Sequence, residues 1–190
     1  AMGLFEDPYG KTFKNRKRHS PESVKLAKTI ADESTVLLKN ENQLLPLDTK
    51  SLKSIAIIGP NADQVQFGDY TWSRNNKDGV TPLQGIKNRV NKNTAIHYAK
   101  GCSLTSLDTS GIAEAVEAAK NSEVAVIFGG SASAALARDY KSSTCGEGFD
   151  LNDLNLTGAQ SQLIREVYRT GTPVILVLVT GKPFVIEWEK

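Results

Sequence analysis

Four short apolar runs alternate along this chain with stretches whose apolar residues recur every three or four positions, and that alternation decides the fold class. The runs are Ser54-Ile-Ala-Ile-Ile-Gly59, Thr94-Ala-Ile-His-Tyr-Ala99, Glu123-Val-Ala-Val-Ile-Phe128 and Pro173-Val-Ile-Leu-Val-Leu-Val179. An apolar run without polar alternation suits a strand buried on both faces. The stretches between read as amphipathic helices. Ser20-Pro21 opens the first, with serine as cap and proline at the first helical position. Val24, Ala27, Ile30, Ala31, Ser34, Leu37 and Leu38 give it one apolar stripe, and Asn40-Glu-Asn42 ends it. Leu44-Leu-Pro-Leu47 is a short apolar tether expected to pack on the domain edge. Thr81-Pro-Leu-Gln84 is a capping box that starts a helix to about Val90. Asp108-Thr-Ser110 caps a helix through Ile112, Ala115, Val116 and Ala119. Thr157-Gly-Ala-Gln160 is a further capping box, with Leu163, Ile164, Val167 and Tyr168 on one face of the helix it opens. Strands alternating with helices predict an α/β fold, a three-layer αβα sandwich around a mostly parallel sheet.

Composition narrows the function. The 190 residues are 39% hydrophobic and 23% charged, as in an ordinary globular chain. No apolar run approaches the ~18 residues of a membrane-spanning helix, so no membrane is expected. A net charge of +2, from 23 basic and 21 acidic residues, is too balanced to imply nucleic acid. The basic stretch from Lys11 to Arg18 reads as part of a solvated linker over residues 1–19, ahead of a domain over 20–190. Ala1-Met2 looks like a cloning scar, and the chain stops just after an apolar segment, so it reads as a piece of something longer. Two cysteines make neither a disulfide scaffold nor a zinc site. His19 and His97 are the only histidines, one in the linker and one in a strand, so no metal and no histidine-driven triad are expected.

Two connections break the short-loop rule: residues 60–80 and 129–156. Loops that long inside a compact domain tend to be functional or disordered. Both follow the carboxyl end of a strand, which is where open α/β sheets bind ligands. Gly59-Pro-Asn-Ala-Asp-Gln64 lacks the later glycines of a dinucleotide site, and neither a P-loop nor a serine nucleophile elbow occurs, so no cofactor is expected. Carboxylates remain: Asp139, Glu147, Asp150 and Asp153 in the second loop. Glu147 stands between Gly146 and Gly148, which let the backbone project a single acid from a loop tip. The spacing alone favours a solvated turn. In the first loop, Gly68-Asp69-Tyr70-Thr71-Trp72 sets an acid among aromatics. That grouping suits a sugar, whose C–H face stacks while its hydroxyls hydrogen-bond, but it also suits a loop anchored by its own rings.

Seven stretches in this order resemble glycoside hydrolase family 3, the β-glucosidase and β-xylosidase group. They are Gly3-Leu-Phe-Glu-Asp-Pro-Tyr9, Ala31-Asp-Glu-Ser-Thr-Val-Leu-Leu-Lys-Asn-Glu41 with Leu44-Leu-Pro-Leu47, Ile55-Ala-Ile-Ile-Gly-Pro-Asn-Ala-Asp63, Thr81-Pro-Leu-Gln-Gly-Ile86, Tyr98-Ala-Lys-Gly-Cys102, Cys145-Gly-Glu-Gly-Phe-Asp150 and Gly181-Lys-Pro183. The resemblance implies the linker plus most of the second, α/β sandwich domain of an enzyme whose N-terminal (β/α)₈ barrel carries an aspartate nucleophile. It also implies a sheet incomplete at its C-terminal edge, because another strand and helix usually follow.

The implied activity is that of a retaining, exo-acting β-glycosidase, with β-glucosidase expected, acting on terminal β-linked sugars of an oligosaccharide or glucoside. Such a mechanism needs two carboxyl groups ~5 Å apart. No aspartate here matches the barrel's motif, so the isolated chain is expected to be inactive. Glu147 is the implied catalytic acid/base, and Asp69, Trp72 and Asp150 are the implied substrate contacts. To donate a proton at neutral pH, Glu147 would rely on burial against the barrel and on the nearby nucleophile. Two positions depart from the family pattern. Leu151 stands where an arginine often follows the aspartate, which removes a charged partner for Asp150, and Gly130 stands where some members carry a glutamate. A periplasmic or secreted location is what the family implies. The competing readings are a non-catalytic glycan-binding or structural lobe that stabilises the barrel, and a nucleotide-binding α/β module.

Overall fold

The computed structural model describes residues 3, 5–9, 19–68, 70, 79–133 and 143–189. The chain forms two compact units, Ala1–Lys39 and Asn40–Lys190.

The first unit contains helix α1, Pro21–Ser34, with Pro21 in its first turn. The Ser20 hydroxyl accepts a hydrogen bond from the Ser23 N–H at 3.2 Å, as the cap predicts. The helix stops short of Leu37 and Leu38. Ser34 and Thr35 both donate their hydroxyls to the Ala31 carbonyl, the group the next turn of helix would use. Val24, Leu26, Ile30, Leu37 and Leu38 are exposed.

The second unit is built on four parallel strands: β1 (Ser54–Ile58), β2 (Ala95–Ala99), β3 (Ala125–Gly130) and β4 (Val174–Val179), in the order β2-β1-β3-β4. Helices α2 (Pro82–Arg89), α3 (Ile112–Lys120) and α4 (Gln160–Tyr168) connect them. Successive residues of a strand serve opposite faces. Ala56, Ile58, Ala125 and Ile127 pack with Ala115 and Ala119 of α3 and with Leu163, Ile164 and Val167 of α4. Ile55, Ile57, Val126 and Phe128 form a second core with Leu83 of α2, against which Ile86, Leu52 and Leu47 of the tether pack. The sheet is therefore covered on both faces, the three-layer sandwich that unbroken apolar runs require. Each fully buried isoleucine contributes about 1.5–3 kcal/mol relative to exposure. Among the described residues β4 pairs with β3 alone, and all six of its residues are only half-buried.

The helix starts refine three expectations. Thr81 caps α2 by accepting from the Gln84 N–H at 3.1 Å, but the Gln84 side chain turns to Asn88 at 2.8 Å, so the box forms by half. Asp108 accepts from the Ser110 N–H in a tight turn ahead of α3, whose cap position is Gly111. Thr157 and Gln160 form no capping box. The cap of α4 is Ala159, Thr157 Oγ1 donates to Leu104 O at 2.7 Å, and the Gln160 amide nitrogen lies 3.1 Å from Thr157 O and 3.3 Å from Thr157 Oγ1, a donor where a capping box needs an acceptor.

Candidate active site

The site begins where β1 and β3 leave the sheet. Gly59 has φ +113°, and a Cβ there would lie 2.3 Å from the Phe128 carbonyl oxygen of β3. Gly130 has φ +114°, and its Cβ would lie 2.1 Å from the Val179 oxygen of β4. Only glycine makes either bend, because both the dihedral and the space exclude a side chain. An acid at position 130 is thus incompatible with this backbone.

Two buried amides then hold the exit of β3. The Asn61 Nδ2 donates to Gly129 O at 3.1 Å and to Ser131 O at 3.2 Å, while its Oδ1 accepts from Gln66 Nε2 at 2.9 Å. On the opposite side, Gln160 Oε1 accepts from the Gly130 N–H at 2.8 Å, and its Nε2 lies 3.0 Å from Gly130 O and 3.1 Å from Thr157 O. Both side chains are fully buried, where an unpaired polar atom would be costly. They fix three consecutive backbone units at the point where the second long loop starts.

That loop returns alongside its own beginning. The Thr144 N–H donates to Ala132 O at 3.0 Å, the Ala132 N–H donates back to Thr144 Oγ1 at 3.0 Å, and Ser133 bridges Cys145 in a parallel sense. Past this base the chain makes a turn with Gly146 at φ +127°, Gly148 at φ +76°, and the Phe149 N–H bonded to Gly146 O at 3.1 Å. The segment after β4 supplies the third wall. The Gly181 N–H donates to Ser131 Oγ at 3.3 Å. Lys182 Nζ donates to the Phe149 carbonyl and to Asp150 Oδ1, the latter at 2.8 Å. Between these walls lies a cleft of about 480 Å³, lined by Gln66 and Phe67 of the first loop, Ser131 and Cys145 of the second, and Thr180 and Lys182 beyond β4. The two long loops therefore meet at the carboxyl edge of the sheet, as their positions predict.

Glu147 is exposed at the tip of the glycine-flanked turn, one residue beyond Gly146 on the cleft wall. Asp150 is also exposed, and the Lys182 ammonium holds its carboxyl below the usual carboxylate range by hydrogen bond and charge. Leu151 does not leave Asp150 without a cation, because Lys182 supplies one from 32 residues away. Asp69, Trp72 and Asp139 lie outside the described residues. His97 is half-buried on the edge strand β2. Burial pushes the Cys102 thiol up to about 11, away from reactivity. Among the described residues no three His, Cys, Asp or Glu side chains cluster as metal ligands would. The residues that sequence reasoning missed are Asn61, Gln160 and Lys182. Asn61 and Lys182 lie within stretches that carry the family resemblance, and Gln160 within the Thr157–Gln160 capping pattern, but none of these signals named a partner.

The glycosyl hydrolase family 3 C-terminal domain model matches residues 35–190. A β-xylosidase of Formosa agariphila is 39% identical over 88% of the chain, which spans 23% of that protein. A periplasmic β-glucosidase of Salmonella typhimurium is 34% identical over 99% of the chain and 27% of its own length. Among solved structures, a β-glucosidase from Listeria innocua in complex with glucose superposes with a TM-score of 0.78 at 28% identity, covering 97% of this chain and 24% of that one. The chain thus spans about a quarter of the length of these relatives.

Proposed function

The chain belongs to glycosyl hydrolase family 3 and is the C-terminal domain of such an enzyme, and on that premise we propose that it forms the proton-handling wall of the sugar pocket in a retaining, exo-acting β-glucosidase. The carrying observation is the cleft at the carboxyl edge of the sheet, with the Glu147 turn projecting from its rim. In this reading the nucleophile is an aspartate of a (β/α)₈ barrel in the same enzyme, ~5–5.5 Å from the acid/base. Glu147 gives its proton to the glycosidic oxygen as the leaving sugar departs. It then takes a proton from the water that releases the glycosyl–enzyme intermediate. The cleft wall suits a sugar, with the Gln66 amide and the Ser131 hydroxyl beside the Phe67 ring. Asp69, Trp72 and Asp150 are proposed as substrate contacts, residues 1–19 as the linker from the barrel, and 20–190 as the sandwich domain.

A second reading, a non-catalytic lobe that grips glycan or stabilises the barrel, is favoured by the exposed position of Glu147. Glu147→Ala in the complete enzyme separates the two. If Glu147 is the acid/base, kcat/KM on a disaccharide falls by about 10²–10⁴-fold. On an aryl glucoside whose leaving group needs no proton, kcat/KM falls far less, and azide restores turnover. Unchanged hydrolysis of the disaccharide would select the second reading.

A further inference from the structure

We propose that Lys182 is a positioning residue for this site, holding the turn that carries Glu147 and thereby setting where its carboxyl stands. The inference rests on the acid/base reading of Glu147 for its consequence, but not for the contact itself. The turn is poorly restrained by its own sequence. Gly146 and Gly148 both occupy positive φ, and a Cβ on Gly148 would meet nothing within 4 Å, so the tip stands in open space. Two glycines in three residues give this segment more conformational freedom to lose than any other composition would.

Its near end is tied down by the Thr144 and Ala132 hydrogen bonds. Its far end meets Lys182, whose ammonium donates to the Phe149 carbonyl and to Asp150 Oδ1 at 2.8 Å. The two partners differ in setting: the Lys182 side chain is 23% exposed and that of Asp150 95%. The lysine therefore lies against the cleft wall, with its ammonium held between the Phe149 carbonyl and the Asp150 carboxylate of the turn.

The lysine's own base is rigid. It stands three residues past the end of β4, its N–H donates to Thr180 Oγ1 at 3.0 Å, the Thr180 hydroxyl donates to the Lys182 carbonyl, and the preceding Gly181 N–H reaches Ser131 Oγ on the exit of β3. The contact thus ties the acid-bearing turn to the two strands that form the floor of the cleft. An ion pair to so exposed a carboxylate adds little to global stability. What it can do is geometric, because a displacement of about 1 Å at a reacting group can cost 10²-fold in rate.

The test compares Lys182→Met, Lys182→Arg and Glu147→Ala in the complete enzyme by two readouts. The first is cleavage after Glu147 by a glutamyl endopeptidase, mapped by mass. It should speed several-fold in Lys182→Met and little in Lys182→Arg, which keeps a donor in reach of both acceptors. The second is kinetic: in Lys182→Met, kcat/KM on a disaccharide should fall by at least about 10-fold more than on the activated aryl glucoside, with Lys182→Arg recovering most of the loss. Unchanged cleavage in Lys182→Met overturns the proposal, and so does an equal loss on both substrates, which would mark Lys182 as a direct sugar contact. If cleavage speeds up while Glu147→Ala leaves disaccharide hydrolysis intact, the holding contact stands and only the reading of Glu147 falls.

Discussion

Gly130, Gln160 and Asp150 show three ways in which one residue serves this site. Gly130 serves by having no side chain. Gly130→Ala would force a Cβ to within 2.1 Å of the Val179 oxygen at a φ that alanine rarely adopts, so it should cost more than ~2 kcal/mol by urea denaturation. Gln160 serves by satisfying buried backbone. Gln160→Leu would strand the Gly130 N–H and several carbonyls, so a loss of about 2–4 kcal/mol is expected in the same measurement. Asp150 serves as the acceptor for Lys182, which depresses its folded-state titration. Its contribution is fully present above the unfolded value of ~3.9 and is lost as the pH falls through the lower folded value. A carboxyl-carbon NMR titration should find its midpoint below that of an ordinary aspartate, and Lys182→Met should move it back. Sequence alone exposed little at this scale. Gln160 looked like part of a capping box because Thr157 stands three residues before it, yet its amide reaches into the sheet. Lys182 and Asp150 meet only because β4 ends beside the second loop, which no local spacing encodes.

The elements were far more legible. β1 and β3 are apolar runs flanked by turn residues, and such a run is stable between two layers of helices, whereas β2 and β4 lie at the edges and are less buried. The location of the site was legible for the same reason: two overlong connections leave the same edge of the sheet. The end of α1 was not. The apolar spacing continues to Leu38, but hydroxyl side chains at Ser34 and Thr35 compete for the carbonyl that would extend the helix. The position of a strand in the sheet also sets its energetic weight. Ile57 is fully buried in central β1, whereas Leu176 is half-buried in edge β4. Ile57→Ala should therefore cost about 3–5 kcal/mol and Leu176→Ala clearly less, measured side by side by chemical denaturation. Comparable losses would mean that β4 is covered in solution.

At the scale of the molecule, the proposed sugar pocket is divided between domains. In that proposal the two-strand floor, the amide-held exit of β3 and the turn bound by Lys182 would form one wall, and the opposite wall with its nucleophile would belong to the barrel. This chain by itself should show no turnover of an aryl β-glucoside above the uncatalysed rate, even at high protein concentration. The division also gives the most direct test. A retaining glycosidase forms a covalent glycosyl–enzyme intermediate, which a 2-fluoro glucoside makes long-lived enough to map by peptide mass. In the complete enzyme, the label is expected on an aspartate outside these 190 residues. A label on any carboxylate of this chain would contradict it.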